Sequence, residues 1–337
     1  MRLSDSIRKN VLSTNVGSII SELKGPSRRY ILFPEEILAK YIQLSENLGH
    51  HDEIKEVASI WTILVTNSAP NIIKKLPITI FFNLFLKSIW INIGGIDDLH
   101  ATRKGNILHI ATRGEMITRN IGKNVFFTEI LKSIIETICR CNTLLVTKSQ
   151  SKKSCEYSFR LAERVKRQIP SKHATLYNRL NTTQHLDGLN LKTLLKNNVF
   201  RLDANNRLIY RGKVFVLIEN TLFHLLSKTS MNKSHLPEIA ANFFRDILHP
   251  NTALKSGLPM LKNLLQITGW GITNIKLDEN RLTLVMKNVP FGLHVDDDWK
   301  FISNTILGYL KIFKECEISG MDVKNRILRI EYKFKTK

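Results

Sequence analysis

The sequence predicts an α+β protein built from two similar halves. Apolar residues recur at helical spacing in some stretches and alternate at strand spacing in others, so both element types are expected. A long apolar helix ends at glycine twice, at Gly94-Gly95 and at Gly269-Trp270-Gly271. Each glycine end is followed by the same order of elements: hairpin, helix, hairpin. An internal duplication is the simplest account of that repetition.

At 337 residues and 43% hydrophobic content, the chain can bury one large core or two medium ones. Cys139, Cys141, Cys155 and Cys316 are too few and too unevenly placed for a disulfide scaffold, which points to a reducing, cytoplasmic setting. Residues 1–25 carry no apolar run of the signal-peptide kind. The most apolar stretch, Ile78 to Gly94, is broken by Asn83, Lys87 and Ser88 and is shorter than the roughly 20 residues of a membrane span. A buried amphipathic helix is expected there instead. The net charge of +21 is uneven: +4 in residues 1–30, +1 in 31–147, +11 in 148–214 and +5 in 215–337.

In chain order, residues 1–25 form a lead-in with a helix expected over Val16 to Leu23, closed by Gly25-Pro26. A first unit is expected over 26–165. It opens with the strand Tyr30-Ile31-Leu32-Phe33. Pro34-Glu35-Glu36 then starts a helix, with carboxylates favouring the macrodipole. Asp52 caps a second helix whose Ile54, Val57, Ala58, Trp61 and Leu64 face inward. The apolar helix after Pro77 follows, then strands Ile96 to Thr102 and Asn106 to Thr112 around Lys104-Gly105. Val125 to Cys139 forms a helix, and Thr143 to Lys148 with Cys155 to Leu161 a closing hairpin. Residues 166–194 are expected as a basic linker, and 195–337 as the second unit. There Val214 to Leu217 matches Tyr30 to Phe33, and Glu219 falls where Glu35 falls. Helices Asn220 to Lys228, Leu236 to Ile247 and Leu258 to Thr268 follow. Gly271-Ile272 matches Gly95-Ile96, and Tyr332-Lys333-Phe334 matches Phe159-Arg160-Leu161.

This order, with Gly269-Trp270-Gly271 before the hairpin, Lys287 to Pro290 after it, the helix Phe301 to Phe313 and the strand Ile327 to Phe334, resembles the 4-vinyl-reductase-like, or hydrocarbon-binding, domain. Transport-protein-particle tethering subunits share that fold. In the first half, Cys155 to Phe159 is similar to the family's terminal cysteine-x-aromatic strand. The resemblance implies two similar units, each a four-stranded antiparallel sheet packed by helices on one face. It also implies an apolar small molecule or acyl chain held among the helices, and pairing with a protein partner or a second copy. Phe81, Phe82, Phe85, Trp90, Leu261 and Leu265 are the cavity candidates, and solid core packing explains each of them as well. Some family members hold zinc through cysteines and a glutamate. Here only Cys155 matches; Cys139 and Cys141 are its possible neighbours, and no fourth ligand is evident, so no metal or other cofactor is expected.

No catalytic residue stands out. There is no H-E-x-x-H pattern, no serine elbow and no cysteine–histidine pairing. His50-His51 suits a solvated helix end, and His109 and His294 have no spaced partners. Gly269-Trp270-Gly271 lacks a third glycine and runs helix to strand, the reverse of a phosphate loop. Asp296-Asp297-Asp298 suits a helix N-terminus better than a cation.

The basic middle is the competing signal. Lys152, Lys153, Arg164, Lys166, Arg167 and Lys172 are candidate anion-binding residues, with Arg160, Arg164 and Arg167 expected on one helix face. Such charge attracts nucleic acid or an anionic membrane, and suits a solvated linker equally. The expected function is therefore a non-enzymatic ligand- or partner-binding protein: a sensor, adaptor or assembly subunit. Binding of nucleic acid or an anionic surface through the central segment is the alternative.

Overall fold

Alternation between buried and exposed side chains defines the two four-stranded sheets in the computed structural model. The structure describes residues 12–15, 18–21, 28–67, 71–164, 190–231, 233–249, 251–290, 299–324 and 327–335. Most of the expected basic linker, His294 and Asp296 to Asp298 lie outside these. The described chain divides into two units. The first holds residues 38–164 and 202–208, the second residues 12–37, 190–201 and 209–335.

In the first unit, β4 (Asp98–Lys104), β5 (Ile107–Arg113), β6 (Cys141–Gln150) and β7 (Ser154–Arg164) form an antiparallel sheet of order β4-β5-β7-β6. Leu108, Ile110 and Thr112 of β5 are buried while His109, Ala111 and Arg113 are exposed, the period-2 pattern of a sheet with one covered face. Helices cover it. α1 (Glu35–Asn47) is followed by α2 (His51–Asn67), α3 (Asn71–Lys74), α4 (Ile78–Ile80), a π-helix (Phe81–Leu86) and α5 (Lys87–Asn92). The short α6 (Thr118–Ile121) precedes α7 (Phe126–Cys139), which packs on α2 and on β6. Asn124 closes the α7 N-terminus, its Oδ1 accepting from Phe127 N at 2.9 Å.

The second unit repeats the design. α8 (Leu191–Lys196), β8 (Arg201–Leu202) and β9 (Leu208–Tyr210) lead to β10 (Lys213–Glu219), then α9 (Thr221–Lys228), α10 (Leu236–Ile247) and α11 (Leu254–Ile267). β11 (Ile272–Asp278), β12 (Arg281–Lys287), α12 (Lys300–Lys311), β13 (Cys316–Lys324) and β14 (Ile327–Phe334) close it. The sheet order is β11-β12-β14-β13, the same pattern as before. Leu282, Leu284 and Met286 lie opposite Tyr332, Ile330 and Leu328, and all six are fully buried. Each unit thus contains a four-stranded antiparallel sheet with a helical layer.

Two sequence expectations change. The helix expected over Val16 to Leu23 is instead β2 (Ser18–Ser21), hairpinned with β1 (Leu12–Asn15) and paired to β3 (Arg28–Pro34), with Ile19 opposite Tyr30. So short a segment cannot sustain a helix alone, and its adjacent β-branched isoleucines suit a ladder. The matched strands Tyr30 to Phe33 and Val214 to Leu217, expected in separate units, both fall in the second unit and pair with each other: Leu32 faces Leu217 and Phe33 faces Val216. They belong to a six-stranded sheet of order β1-β2-β3-β10-β9-β8.

Gly269-Trp270-Gly271 is a structural turn. Gly269 (φ +92°) and Gly271 (φ +126°) occupy backbone that side chains rarely adopt, and a Cβ would meet Tyr30 O at 2.8 Å and Lys287 O at 2.6 Å. Trp270 is buried against Phe33 and Phe223, and Arg29 Nη2 donates to Gly269 O at 3.1 Å.

Candidate functional site: an apolar cavity in the first unit

Four segments converge on a cavity of about 70 Å³. α2 supplies Trp61, Thr62, Val65 and Thr66, two adjacent pairs one helical turn apart and hence one face. α7 supplies Phe127, Ile130 and Ile134 at the same helical spacing. Leu86 at the end of the π-helix, with Trp90 and Ile93 beyond it, forms the third wall. Gly95 and Met116 add a fourth wall, Met116 N donating to Gly95 O at 2.6 Å.

The local backbone is unusual at two of these walls. The π-helix runs through Phe81–Leu86, and Asn83 fixes it to β4: its Nδ2 donates to Ala101 O at 2.8 Å and its Oδ1 accepts from Ala101 N at 2.7 Å. Beside Met116, Ile117 has φ 69° and ψ −61°, the strained hand of γ-turn, with Thr118 N donating to Met116 O at 2.8 Å. A β-branched residue there is costly, and such strain clusters at binding sites.

The polar content of the walls is small. Trp61 Nε1 and Thr62 Oγ1 are both buried without a protein hydrogen-bond partner. Trp61 stacks on Phe126, and Trp90 meets Phe127 edge-on, the ring centroids 6.3 and 5.3 Å apart.

Next to Met116 in sequence, Glu115 anchors a buried polar cluster. Thr112 Oγ1 donates to Glu115, Tyr157 Oη donates to both carboxylate oxygens at 3.0 Å, and Gln150 Nε2 donates to Tyr157 Oη at 2.8 Å. Burial pushes the Glu115 carboxyl up, outweighing these donors. Burial also pushes the Tyr157 phenol far up and the Cys155 thiol up to about 12. Lys148, donating to Asn124 O at 2.9 Å, is held below the usual ammonium range by the same desolvation. Cys139 rises to about 11 and Cys316 to about 12, again through burial. These thiols stay protonated near neutral pH, which makes them poor nucleophiles.

Of the expected cavity residues, Trp90 lines the cavity. Phe81 and Phe82 are buried in the π-helix and pack on each other at 5.9 Å; the half-buried Phe85 packs on Phe81 at 5.5 Å. Leu261 and Leu265 lie buried on α11 of the second unit. Trp61, Thr62, Ile130 and Ile134 were not foreseen as ligand contacts. Helical spacing marked Trp61, Ile130 and Ile134 as inward but not Thr62, and spacing alone does not separate a filled core from a hollow one.

Of the expected anion-binding residues, Lys152 and Lys153 are exposed in the turn between β6 and β7. Arg164 is the last residue of β7, opposite Cys141, while Lys166, Arg167 and Lys172 lie outside the described residues. The expected helix carrying Arg160 and Arg164 is a correction: β7 continues through both, because pairing with β6 satisfies that backbone.

The three cysteines do not gather. Cys139 and Cys141 neighbour each other beside Arg103. Cys155 pairs with Gln150 at the opposite end of the β6–β7 ladder from Cys141, about 30 Å away at strand rise. Among the described residues no group of three or more His, Cys, Asp or Glu is placed to hold a metal ion. His50 Nδ1 lies 3.0 Å from Glu53 at the start of α2, and His109 Nδ1 lies 3.0 Å from Ser158 Oγ on the exposed sheet face. Among the described residues no helix is long and apolar enough to cross a membrane. No family model, curated protein or solved structure matches the chain.

Proposed function

We propose that this chain is a non-enzymatic, cytoplasmic ligand-binding protein of two hydrocarbon-binding-like units, serving as a sensor, adaptor or assembly subunit. In this reading the cavity of the first unit holds an apolar small molecule. The supporting observation is the cavity itself. Its space of about 70 Å³ is walled mainly by Trp, Phe, Ile, Leu and Val side chains, so an apolar guest removes apolar wall from water. A cavity of about 150 Å³ accepts benzene, so this one suits a smaller molecule or the tip of a larger one rather than a whole acyl chain. The protonated cysteine thiols support the non-enzymatic part.

The test is native mass spectrometry and organic extraction of the purified chain, with thermal melts in small hydrocarbons. Bound ligand, or a saturable rise in melting temperature abolished by Ile130→Phe, is expected. Ile130→Phe should itself melt no lower than the parent because it fills the space. An empty chain whose melt is indifferent to every probe overturns the reading.

A second reading rests on charge: residues 148–214 carry +11, and Lys152, Lys153 and Arg160 of this segment are exposed. It makes the protein a binder of nucleic acid or another anionic surface.

A further inference from the structure

The helical run over 78–92 turns an apolar face to water. Its inner face is ordinary: Ile78, Phe81, Phe82 and Leu86 recur at helical spacing and are buried. Its outer face carries Ile80 (41% exposed), Leu84 (69%) and Ile89 (39%), with Ser88 the remaining exposed residue of the run. Ile80 and Leu84 are neighbours at i,i+4, and α3, which packs against the π-helix, adds Ile72 at 76% exposure. The polar residues that a surface helix ordinarily presents to solvent are engaged with the sheet instead. Asn83 is fixed to Ala101 of β4, and Lys87 Nζ lies 2.6 Å from Asp98 Oδ1 on the same strand. A helix apolar on both sides is ordinarily covered on both, and neighbouring apolar side chains left in water mark an interaction surface.

We infer that this ridge is an interfacial anchor for an anionic membrane surface, with Ile80, Leu84 and Ile89 reaching the acyl boundary and the flanking lysines the lipid phosphates. Charge identifies the partner. Residues 57–96 contain three lysines and no acid: Lys74 and Lys75 lie between Ile72 and Ile80, and Lys87 lies two residues before Ile89. Asp98, which meets the run at Lys87, is also held by Arg113 Nη2 at 3.2 Å, so cations outnumber it there. A second copy of the chain would bring the same cations face to face, and the net charge of +21 adds to that repulsion. A convex helix face also seats in a fluid lipid surface without a complementary groove. The anchor does not depend on a guest in the cavity, which Leu86 and Trp90 line from the same run.

The experiment sediments the full chain with vesicles of phosphatidylcholine alone and of phosphatidylcholine mixed with phosphatidylglycerol. Binding to the mixed vesicles is expected, about tenfold or more tighter than to the neutral ones. Ile80→Gln combined with Leu84→Gln is expected to weaken it about tenfold or more. Leu144→Gln, an exposed site on the sheet face away from the helices, is expected to leave it unchanged. Thermal melts show that each variant folds. In Leu84→Trp, emission from the added indole is expected to shift blue on the mixed vesicles and to be quenched by brominated acyl chains. Undiminished binding by the double variant, or no quenching in Leu84→Trp, assigns the contact to charge elsewhere in the chain and overturns the inference. Failure of the parent chain to bind the mixed vesicles overturns it as well. A dimer in sedimentation velocity that the double variant abolishes, with no vesicle binding, assigns the ridge to a second copy instead.

Discussion

Glu115 shows what a single residue contributes beyond its type. It is 1% exposed, beside the γ-turn at Ile117, and its two oxygens take hydrogen bonds from Tyr157 and Thr112. Those donors favour the carboxylate; loss of water disfavours it more, so the pKa lies above the ordinary 4.5. The folded state then holds a proton that the unfolded chain has already released over the interval above pH 4.5. Stability from this group is complete below the unfolded value and is lost as pH rises through the folded one. Glu115→Gln removes the titration while keeping an amide among the same neighbours. Relative to the parent, it is expected to gain stability as pH climbs above 4.5, measured as urea midpoints between pH 4 and pH 8. A parent-to-variant difference that stays flat with pH contradicts a raised pKa. Nothing in Gly-Glu-Met-Ile announces this residue. Its burial comes from a backbone turn that isoleucine disfavours, and propensity rules direct a reader away from such a turn.

At the scale of elements, local pattern was legible and partnership was not. The apolar stripes of α1, α2, α7, α10 and α12, and the alternation in β5, β12 and β14, identify those elements within a few residues, because burial of one face dictates their spacing. The pairing of β3 with β10 joins segments far apart in sequence, and no local pattern specifies it. The π-helix adds no signal of its own, since one widened turn hides inside helical periodicity. The cavity inherits both blind spots: its walls were visible as helix faces, its emptiness was not. Gly308 of α12 tests how closely the second helical layer packs. A Cβ there would collide with Pro237 O and stand 2.7 Å from Ala240 Cβ on α10. Gly308→Ala is expected to lower stability by about 2 kcal/mol through overpacking, although alanine is the better helix former. A urea midpoint equal to or above that of the parent means the helices do not approach this closely.

For the whole molecule, the element order repeated along the sequence reappears as two sheets with the same strand order, one in each unit. Net charge is the property that neither unit's architecture explains. Fifty basic residues outnumber twenty-nine acidic ones, and residues 148–214 account for +11 of the +21. Polyanion binding driven by such charge proceeds through counterion release. The logarithm of affinity then falls linearly with the logarithm of salt, by about 0.7 to 0.9 per phosphate neutralised. Reversing Lys152, Lys153, Arg164 and Arg167 to glutamate removes four of those cations. If the central segment forms the contact, affinity for a single-stranded oligonucleotide falls sharply and the salt slope shallows by about 3. Circular dichroism and the thermal midpoint serve as controls that the fold survives. The slope decides between electrostatic roles, because a solvated linker makes no phosphate contacts for the substitutions to remove. An unchanged slope and affinity in the folded quadruple variant assign the charge to solvation and leave the cavity as the chain's binding feature.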